Sequence, residues 1–517
     1  MGKILPNYKK QIIDEIVYAV TANISQYYAF ASNPIAYVGS PPTATDDDYS
    51  ANFTNDWQMI FGKKLKPGDF VHMIENNVWT SNSVYDRYDN TSNTLYTNNN
   101  FYVISSPSET YGSYHVYKCI DNNNGANSTI NPNSVGDPIN SQTFETSDGY
   151  KWRYITSITN ATYYKFATTD YVPVFQNETI VSSANQYSGI DVVVVANGGS
   201  GYQTYSQSGF KIQSKSNTTL LQIDSSEPQT LSYYNNTSIY IYNTGSPSTS
   251  QLRNITAYTS NSSGRWVTLD SAANTDNITE NVTQYLISPK LVFSTDGTAP
   301  IAYTVVNTST NAISSVVILD AGSNISRANV SIATSSYGSG ANLYAIVPPP
   351  GGHGSSPASE LNVKGLGISF YFNKSESNTI PSNTVYNKIG ILKNPYVLNA
   401  NNTKGSRYSS NTFNQVLQAN VSSGYVFSVG ESVTGNTSGA KGTVVFSNST
   451  VLQITGDKNF SNGEYIANSS GSSVGTININ SLGNIYAKDI LPLYYENINN
   501  ITRSNTQSES FKIIIQV

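Results

Sequence analysis

Between residues 114 and 158 the chain carries two runs of large aromatic and apolar residues, Tyr114-His-Val-Tyr-Lys-Cys-Ile-Asp121 and Tyr150-Lys-Trp-Arg-Tyr-Ile-Thr-Ser-Ile158, the second launched by an Asp148-Gly149 turn. Successive side chains of a strand point to opposite faces. In the first run Tyr114, Val116, Lys118 and Ile120 share one face, and His115, Tyr117 and Cys119 the other. In the second, Tyr150, Trp152, Tyr154 and Thr156 share one face, and Lys151, Arg153, Ile155 and Ser157 the other. Bulk on both faces means both must be covered, so the pair reads as the inner strands of a layered β protein.

The rest of the composition agrees. Val, Ile, Thr and Tyr are plentiful while helix formers are sparse, which argues mainly β structure. Tyrosine dominates the aromatics, 39 against 17 phenylalanines, and suits contacts because it joins a rigid apolar ring to a polar tip. Charged residues are only 12%, and the net charge is −5. With no basic stripe, nucleic-acid binding is not expected. No apolar run is long enough to span a membrane and no secretory signal opens the chain, so synthesis in a cytoplasm is expected. The single cysteine, Cys119, cannot form an intrachain disulfide and reads as a buried small hydrophobe.

Along the chain, helical spacing of Ile12, Ile13, Ile16, Val17 and Val20 predicts a helix over 6–22. Residues 27–31 read as a strand, and 54–64, with Trp57, Met59, Ile60 and Phe61, as a second short helix. From about Gly189 the texture becomes that of short strands between turns. Residues 191–196 run into Asn197-Gly-Gly-Ser-Gly-Tyr202, and 314–319 into Asp320-Ala-Gly-Ser-Asn324. The two look like weak copies of one strand-turn unit. Between them, strands are expected at 239–242, 253–258, 266–269 and 285–293, as in a sandwich or small barrel. Later strands are expected at 367–373, 386–395, 426–433, 442–446, 451–455, 473–479, 494–500 and 510–517.

Few residues suggest chemistry. Asp46-Asp47-Asp48 is the densest acid cluster, but no EF-hand spacing follows, so a solvated loop is the better reading. Gly198-Gly-Ser-Gly201 lacks the Lys-Ser/Thr and the helix that a phosphate cradle needs, and reads as a tight turn. His353, in Gly351-Gly-His-Gly354, has no nucleophile or acid supplied by a local motif, so a structural role is expected. His72, His115 and His353 lie too far apart for metal-ligand spacing, and Asp and Glu are too scattered to nominate a glycosidase pair. Tyr and Trp on strands could form a sugar platform, but core and interface packing is the commoner use. No catalytic, cofactor-binding or metal residue is expected.

Several motifs, in chain order, resemble the baseplate wedge subunit of T4-like contractile-tailed bacteriophages, the gene-product-eight family. They are Tyr27-Tyr-Ala-Phe-Ala-Ser-Asn-Pro34; Asn55-Asp-Trp57 with Met59; Trp79, Tyr85, Arg87, Tyr88 and Asp89; Val116-Tyr-Lys-Cys-Ile-Asp121; and Asp148-Gly-Tyr-Lys-Trp-Arg-Tyr154. They continue with Pro348-Pro-Pro-Gly-Gly-His353 plus Glu360-Leu361, similar to marine members. Lys388-Ile-Gly-Ile-Leu-Lys-Asn-Pro395 follows, and then Tyr495-Glu-Asn497, Ile501, Arg503 and Gln507-Ser-Glu509. The resemblance covers roughly 5–185, 345–400 and 485–517. Residues 189–344 and 403–482 depart from it, and Asn499 and Asn500 stand near where the family has an arginine. It implies a mainly β fold: a layered β-sandwich core with short helices in side loops, plus two small inserted β domains. In segments, 1–188 would be the N-terminal part of the core with the helix, 189–344 an inserted module, 345–402 a continuation of the core, 403–482 a second module and 483–517 the C-terminal core strand. It further implies a homodimer without cofactor or enzymatic activity, located in the virion's tail baseplate. The subunit would join other baseplate wedge proteins and move with them as the baseplate opens. The alternative is a receptor- or glycan-binding tail protein.

Overall fold

The computed structural model describes residues 4–45, 58–107, 112–134, 142–202, 209–334, 337–376, 380–381, 384–456, 458–486 and 492–517. The chain is mainly β, with short helices between many sheets. By contacts it divides into two compact units, one of residues 1–72 with 364–517, the other of residues 73–363.

In the first unit the N-terminal helix forms over Pro6–Thr21, with proline in its first turn and Ile13 and Val20 buried. A five-stranded sheet runs in the order Thr412–Asn414, Met59–Lys64, Tyr27–Ser32, Thr384–Lys393, Pro492–Arg503. The central strand Tyr27–Ser32 is buried at every position, so both sheet faces are covered. Gly365–Phe372 pairs with Glu509–Gln516 as a second antiparallel layer. The layers meet through rings: Phe61 of the first lies 4.8 Å from Phe372 of the second in an edge-to-face contact, and Phe372 lies 6.4 Å from Tyr386 of the first. This is sandwich packing. The strand Met59–Lys64 corrects the expected second helix. Its first four residues are all buried, and a strand covered on both sides shows the unbroken apolar run that was read as helical. Residues 54–57 lie outside the described residues, as do Asp46, Asp47 and Asp48.

From this body a closed six-stranded barrel emerges, in the order Leu417–Val421, Leu452–Gly456, Lys441–Ser447, Ser432–Gly435, Tyr465–Ala467, Ser473–Ser481. Its core is a cluster including Val433, Val444, Leu452, Ile454, Ile466 and Ile477. The strand expected over 426–433 is corrected. Only Ser432–Gly435 is extended in the barrel, and Val426 and Val429 are exposed, so that apolar stretch is a loop ending at Gly430, whose φ is +86°.

The second unit contains a four-stranded antiparallel sheet, Tyr102–Ser105, Ser113–Asp121, Lys151–Thr159, Thr143–Glu145. A six-stranded sheet over Ser214–Lys215 to Gln284–Pro289 wraps a core that includes Ile239, Ile255, Tyr258 and Tyr285. A bridge between Lys211 and Gln284 draws its two ends together. The single strand expected over 285–293 is two, Gln284–Pro289 and Leu291–Thr295, which join different sheets.

The two strand-turn copies, Val193–Ser200 and Ala312–Asp320, pack against each other around a shared core. The two match in detail where the backbone kinks. Asn197 Oδ1 accepts the Gly199 amide at 2.9 Å, and Asp320 Oδ1 accepts the Gly322 amide at 2.9 Å. Gly199 and Gly322 both have left-handed φ, +66° and +74°, and Tyr202 and Ile325 occupy corresponding core positions. The tight turn expected at Gly198–Gly201 is corrected: Gly198 to Ser200 continue the strand, pairing with Ala341 and Ser339, and the left-handed Gly199 only kinks it.

Candidate functional site: a buried charge cluster beneath the aromatic strands

The strands Ser113–Asp121 and Lys151–Thr159 pair antiparallel, with Tyr117 opposite Tyr154, Lys118 opposite Arg153 and Cys119 opposite Trp152. One face of the pair is aromatic. Tyr117, Cys119, Tyr150, Trp152 and Tyr154 form a cluster with Tyr85, Val103 and Ile180. Tyr150 stacks on Trp152 at 5.4 Å, and Tyr85 meets Trp152 edge-on at 5.7 Å. Cys119 is buried and free, and burial pushes its thiol well up, which makes it inert.

The opposite face is charged and equally buried. Lys118 Nζ lies 2.7 Å from Glu360 Oε1 and 3.0 Å from His353 Nδ1, and sits 3.3 Å from the centre of the Tyr88 ring. His353 Nδ1 is also 3.0 Å from Glu360 Oε1, and Glu360 Oε2 accepts the Gly354 amide at 2.6 Å. The Tyr88 and His353 rings meet edge-on at 5.3 Å. Alongside, Arg153 Nη1 lies 3.2 Å from Asp191 Oδ2 and donates to Thr143 Oγ1, while Nη2 donates to the Tyr187 carbonyl at 2.9 Å.

Local sequence explains how the partners arrive. Pro348-Pro-Pro is followed by Gly351, Gly352 and Gly354, all with positive φ. That path turns the chain back and places His353 inward. At Gly352 an added Cβ would lie 2.1 Å from the Ala184 carbonyl oxygen, so only glycine fits so close an approach. The helix Pro357–Glu360, every residue of which is buried, then delivers Glu360.

Burial governs the electrostatics. It lowers Lys118 to about 8, against the pull of Glu360. It lowers His353 to about 3, helped by the neighbouring Lys118 charge. Burial works to raise Glu360, but Lys118 and the His353 hydrogen bond more than offset it and hold the carboxyl at about 2. His353 is therefore neutral at ordinary pH, between an ammonium and a carboxylate. Burial also raises Asp191, with Arg153 opposing.

What this arrangement can do is hold, not react. Lys118, His353 and Glu360 are all buried and are one another's partners, so no proton or nucleophile is presented to a substrate. Two polar clefts of about 440 and 660 Å³ lie near the sheet and share Glu145, Lys151 and Asp191 in their linings, which mix both signs of charge and include no histidine or cysteine. Among the described residues no group of His, Cys, Asp and Glu is placed to hold a metal ion, and no helix is long and apolar enough to cross a membrane. His72 pairs with Asp14 at 2.9 Å, and His115 Nδ1 lies 3.1 Å from the Tyr117 hydroxyl, so the three histidines stay apart.

Sequence reasoning assigned His353 a structural role but missed its partners. Lys118 is remote in sequence. The one local signal was the nearby carboxylate, Glu360, after a glycine-rich turn. Two further buried acids also escaped notice. Glu227 accepts from the Tyr285 hydroxyl at 2.7 Å and from the Tyr234 hydroxyl. Glu509 pairs with Arg503, whose Nη2 also donates to the Asn373 carbonyl at 2.9 Å. No protein-family model matches the chain, and no curated protein matches it significantly.

Proposed function

We propose that the chain is a structural, non-enzymatic subunit of a contractile-tail phage baseplate wedge, acting as a homodimer that joins neighbouring wedge proteins and moves with them on baseplate opening. One observation carries most weight: six charged residues of the motifs behind the resemblance lie in the interior, although others, Lys393 and Glu496 among them, are exposed. Lys118, Arg153, His353, Glu360, Arg503 and Glu509 are each buried or paired with a buried partner. Asn500, near the family's arginine position, accepts from the Tyr37 amide at 2.8 Å and from Asn387 Nδ2 at 2.9 Å. Motifs that specify a polar interior fit a rigid part of an assembly better than a catalyst. The test is imaging of intact tails from a phage encoding the chain, with particle mass measured on the purified protein. Density for the chain in the baseplate and a dimeric mass are expected. Density in capsid or fibre with a monomeric mass would overturn the reading.

A receptor- or glycan-binding tail protein has one observation in its favour. Tyr240 stacks on Tyr242 at 5.3 Å and on Tyr303 at 4.9 Å, and all three rings are only partly covered. Aromatic faces of this kind can take sugars. Binding of the purified chain to host surface glycans, lost in Tyr242→Ala, would favour this reading over the first.

A further inference from the structure

The small barrel is a duplication. Phe427, Ser428, Gly430, Glu431, Val433, Gly442, Thr443 and Val444 recur as Phe460, Ser461, Gly463, Glu464, Ile466, Gly475, Thr476 and Ile477, each 33 positions on. The structure obeys the repeat. Phe427 and Phe460, Val433 and Ile466, and Val444 and Ile477 enter one core as equivalent pairs. Thr434 lies opposite Ala467, its own counterpart, in the strand pairing, so a pseudo-two-fold axis passes between them. The glutamates act reciprocally. Glu431 accepts from the Ser428 amide at 3.0 Å in its own half and from Ser469 in the other. Glu464 accepts from the Ser461 amide at 2.6 Å and from the Thr437 and Ser438 amides at 2.8 Å.

The symmetry fails around Asn459. In the second half, Asn459 is buried and its amide donates to Asn402 Oδ1 at 2.8 Å. A cavity of about 20 Å³ beside it is lined by Leu398, Phe460 and Ile485 among others. A turn of the same chain thus docks here, presenting a side-chain carbonyl oxygen beside aliphatic groups. Among the described residues, no side-chain oxygen caps the equivalent backbone amide of the first half. Val426, the counterpart of Asn459, is 54% exposed, Val429 is 53% exposed and Tyr425 is 37% exposed. Among the described residues the Val426 amide has no hydrogen-bond acceptor. Tyr425 packs edge-on against Phe427 at 4.8 Å, which fixes the floor of the patch. Ile35 extends it, lying 3.2 Å from where a Cβ on Gly430 would be.

From this internal comparison we infer that the Tyr425, Val426 and Val429 face is a docking site for another polypeptide. Its occupant is a turn of another subunit that offers an Asn or Gln side-chain oxygen to the Val426 amide, as Asn402 does to the Asn459 amide, and lays aliphatic side chains on the two valines, which are apolar and exposed where the other half has Asn459 and Asn462. The inference rests on the barrel alone and stands whether or not the baseplate reading does.

The test uses the full chain labelled with ¹⁵N-valine and a synthetic peptide of residues 396–407, the chain's own version of the occupant. The second-half site is already filled in the folded chain, so added peptide reports on the first. Saturable movement of the Val426 amide signal is expected. It should be lost with an Asn402→Ala peptide and with Val429→Asp in the chain, an exposed position where the charge leaves the barrel folded. No movement of Val426 up to the solubility limit of the peptide overturns the inference. So does movement that survives Asn402→Ala, or movement confined to core valines such as Val433 and Val444.

Discussion

Lys118 is bound to its neighbours by more than charge, and the cost of removing it shows how. Replacing one member of a buried ion pair leaves the other charged and unsolvated, which costs about 3–5 kcal/mol. Lys118→Met should cost that much by denaturant melting, because Glu360 keeps its burial and loses its cation. The double variant Lys118→Met with Glu360→Met should recover a large part of the loss, since neither charge is then stranded. Additive losses would mean that the two do not act as a pair. Acid adds a second test. His353 is held at about 3, below its ordinary 6.5. The fold therefore favours the neutral ring, and its contribution is complete above pH 6.5 and shrinks as pH falls towards 3. Glu360, held at about 2 from 4.5, contributes fully above 4.5 and loses that contribution as pH falls through 2. Melting temperature should therefore decline below pH 6.5, and His353→Gln should flatten the first part of that decline. An unchanged slope would exclude His353 as its source. Across the sheet, Trp152 is fully buried, so Trp152→Ala should cost about 3–5 kcal/mol, and a loss under about 1 kcal/mol would contradict that burial.

Strands in this chain were legible where an aromatic or β-branched run met a turn, and illegible where burial was two-sided or absent. The helix at Pro6–Thr21 and the paired runs around Tyr117 and Trp152 stood out because their periods are unambiguous. Met59–Lys64 did not, since a fully covered strand loses its alternation. Val426 and Val429 misled for the opposite reason, being apolar residues left at the surface. The 33-residue repeat in the barrel was present in the sequence, but its few shared positions sit among Ser, Asn and Thr that vary freely. The charge cluster was beyond reach because the fold alone brings Lys118 to Glu360. One strand device has its own test. Phe30 lies opposite Gly62 on one neighbour and Gly390 on the other. A Cβ on Gly390 would fall 2.4 Å from the Phe30 ring and 2.6 Å from the Tyr494 carbonyl oxygen. The ring thus covers a glycine that leaves room for it. Gly390→Ala should destabilise the protein by about 1–3 kcal/mol, as overpacking does, and a neutral outcome on melting would show that the ring can move aside.

The barrel's entry and exit meet side by side at its body, which bears on how the chain was assembled from parts. It leaves at Gln415 and returns at Ile485, and these residues clasp each other. Gln415 Nε2 donates to the Ile485 carbonyl at 2.8 Å, and the Ile485 amide donates to Gln415 Oε1 at 3.0 Å. One step out, the Asn484 amide donates to the Asn414 carbonyl at 2.9 Å, and the Asn414 amide donates to Asn484 Oδ1 at 2.8 Å. The two ends of the insertion are therefore fixed side by side by the body itself. Inside, the barrel has its own closed sheet and core, so each part holds what a folding unit needs. Replacing 417–482 by a short glycine linker should leave a protein that melts cooperatively and retains its β circular dichroism. Its midpoint should fall modestly, because Leu398 and Ile485 lose the barrel side of the cavity they line. The separate fragment 414–485 should also give a cooperative melt. If the shortened chain collapses into aggregates while the fragment is unfolded, the barrel and body form one cooperative unit and the junction at Gln415 and Ile485 is no boundary.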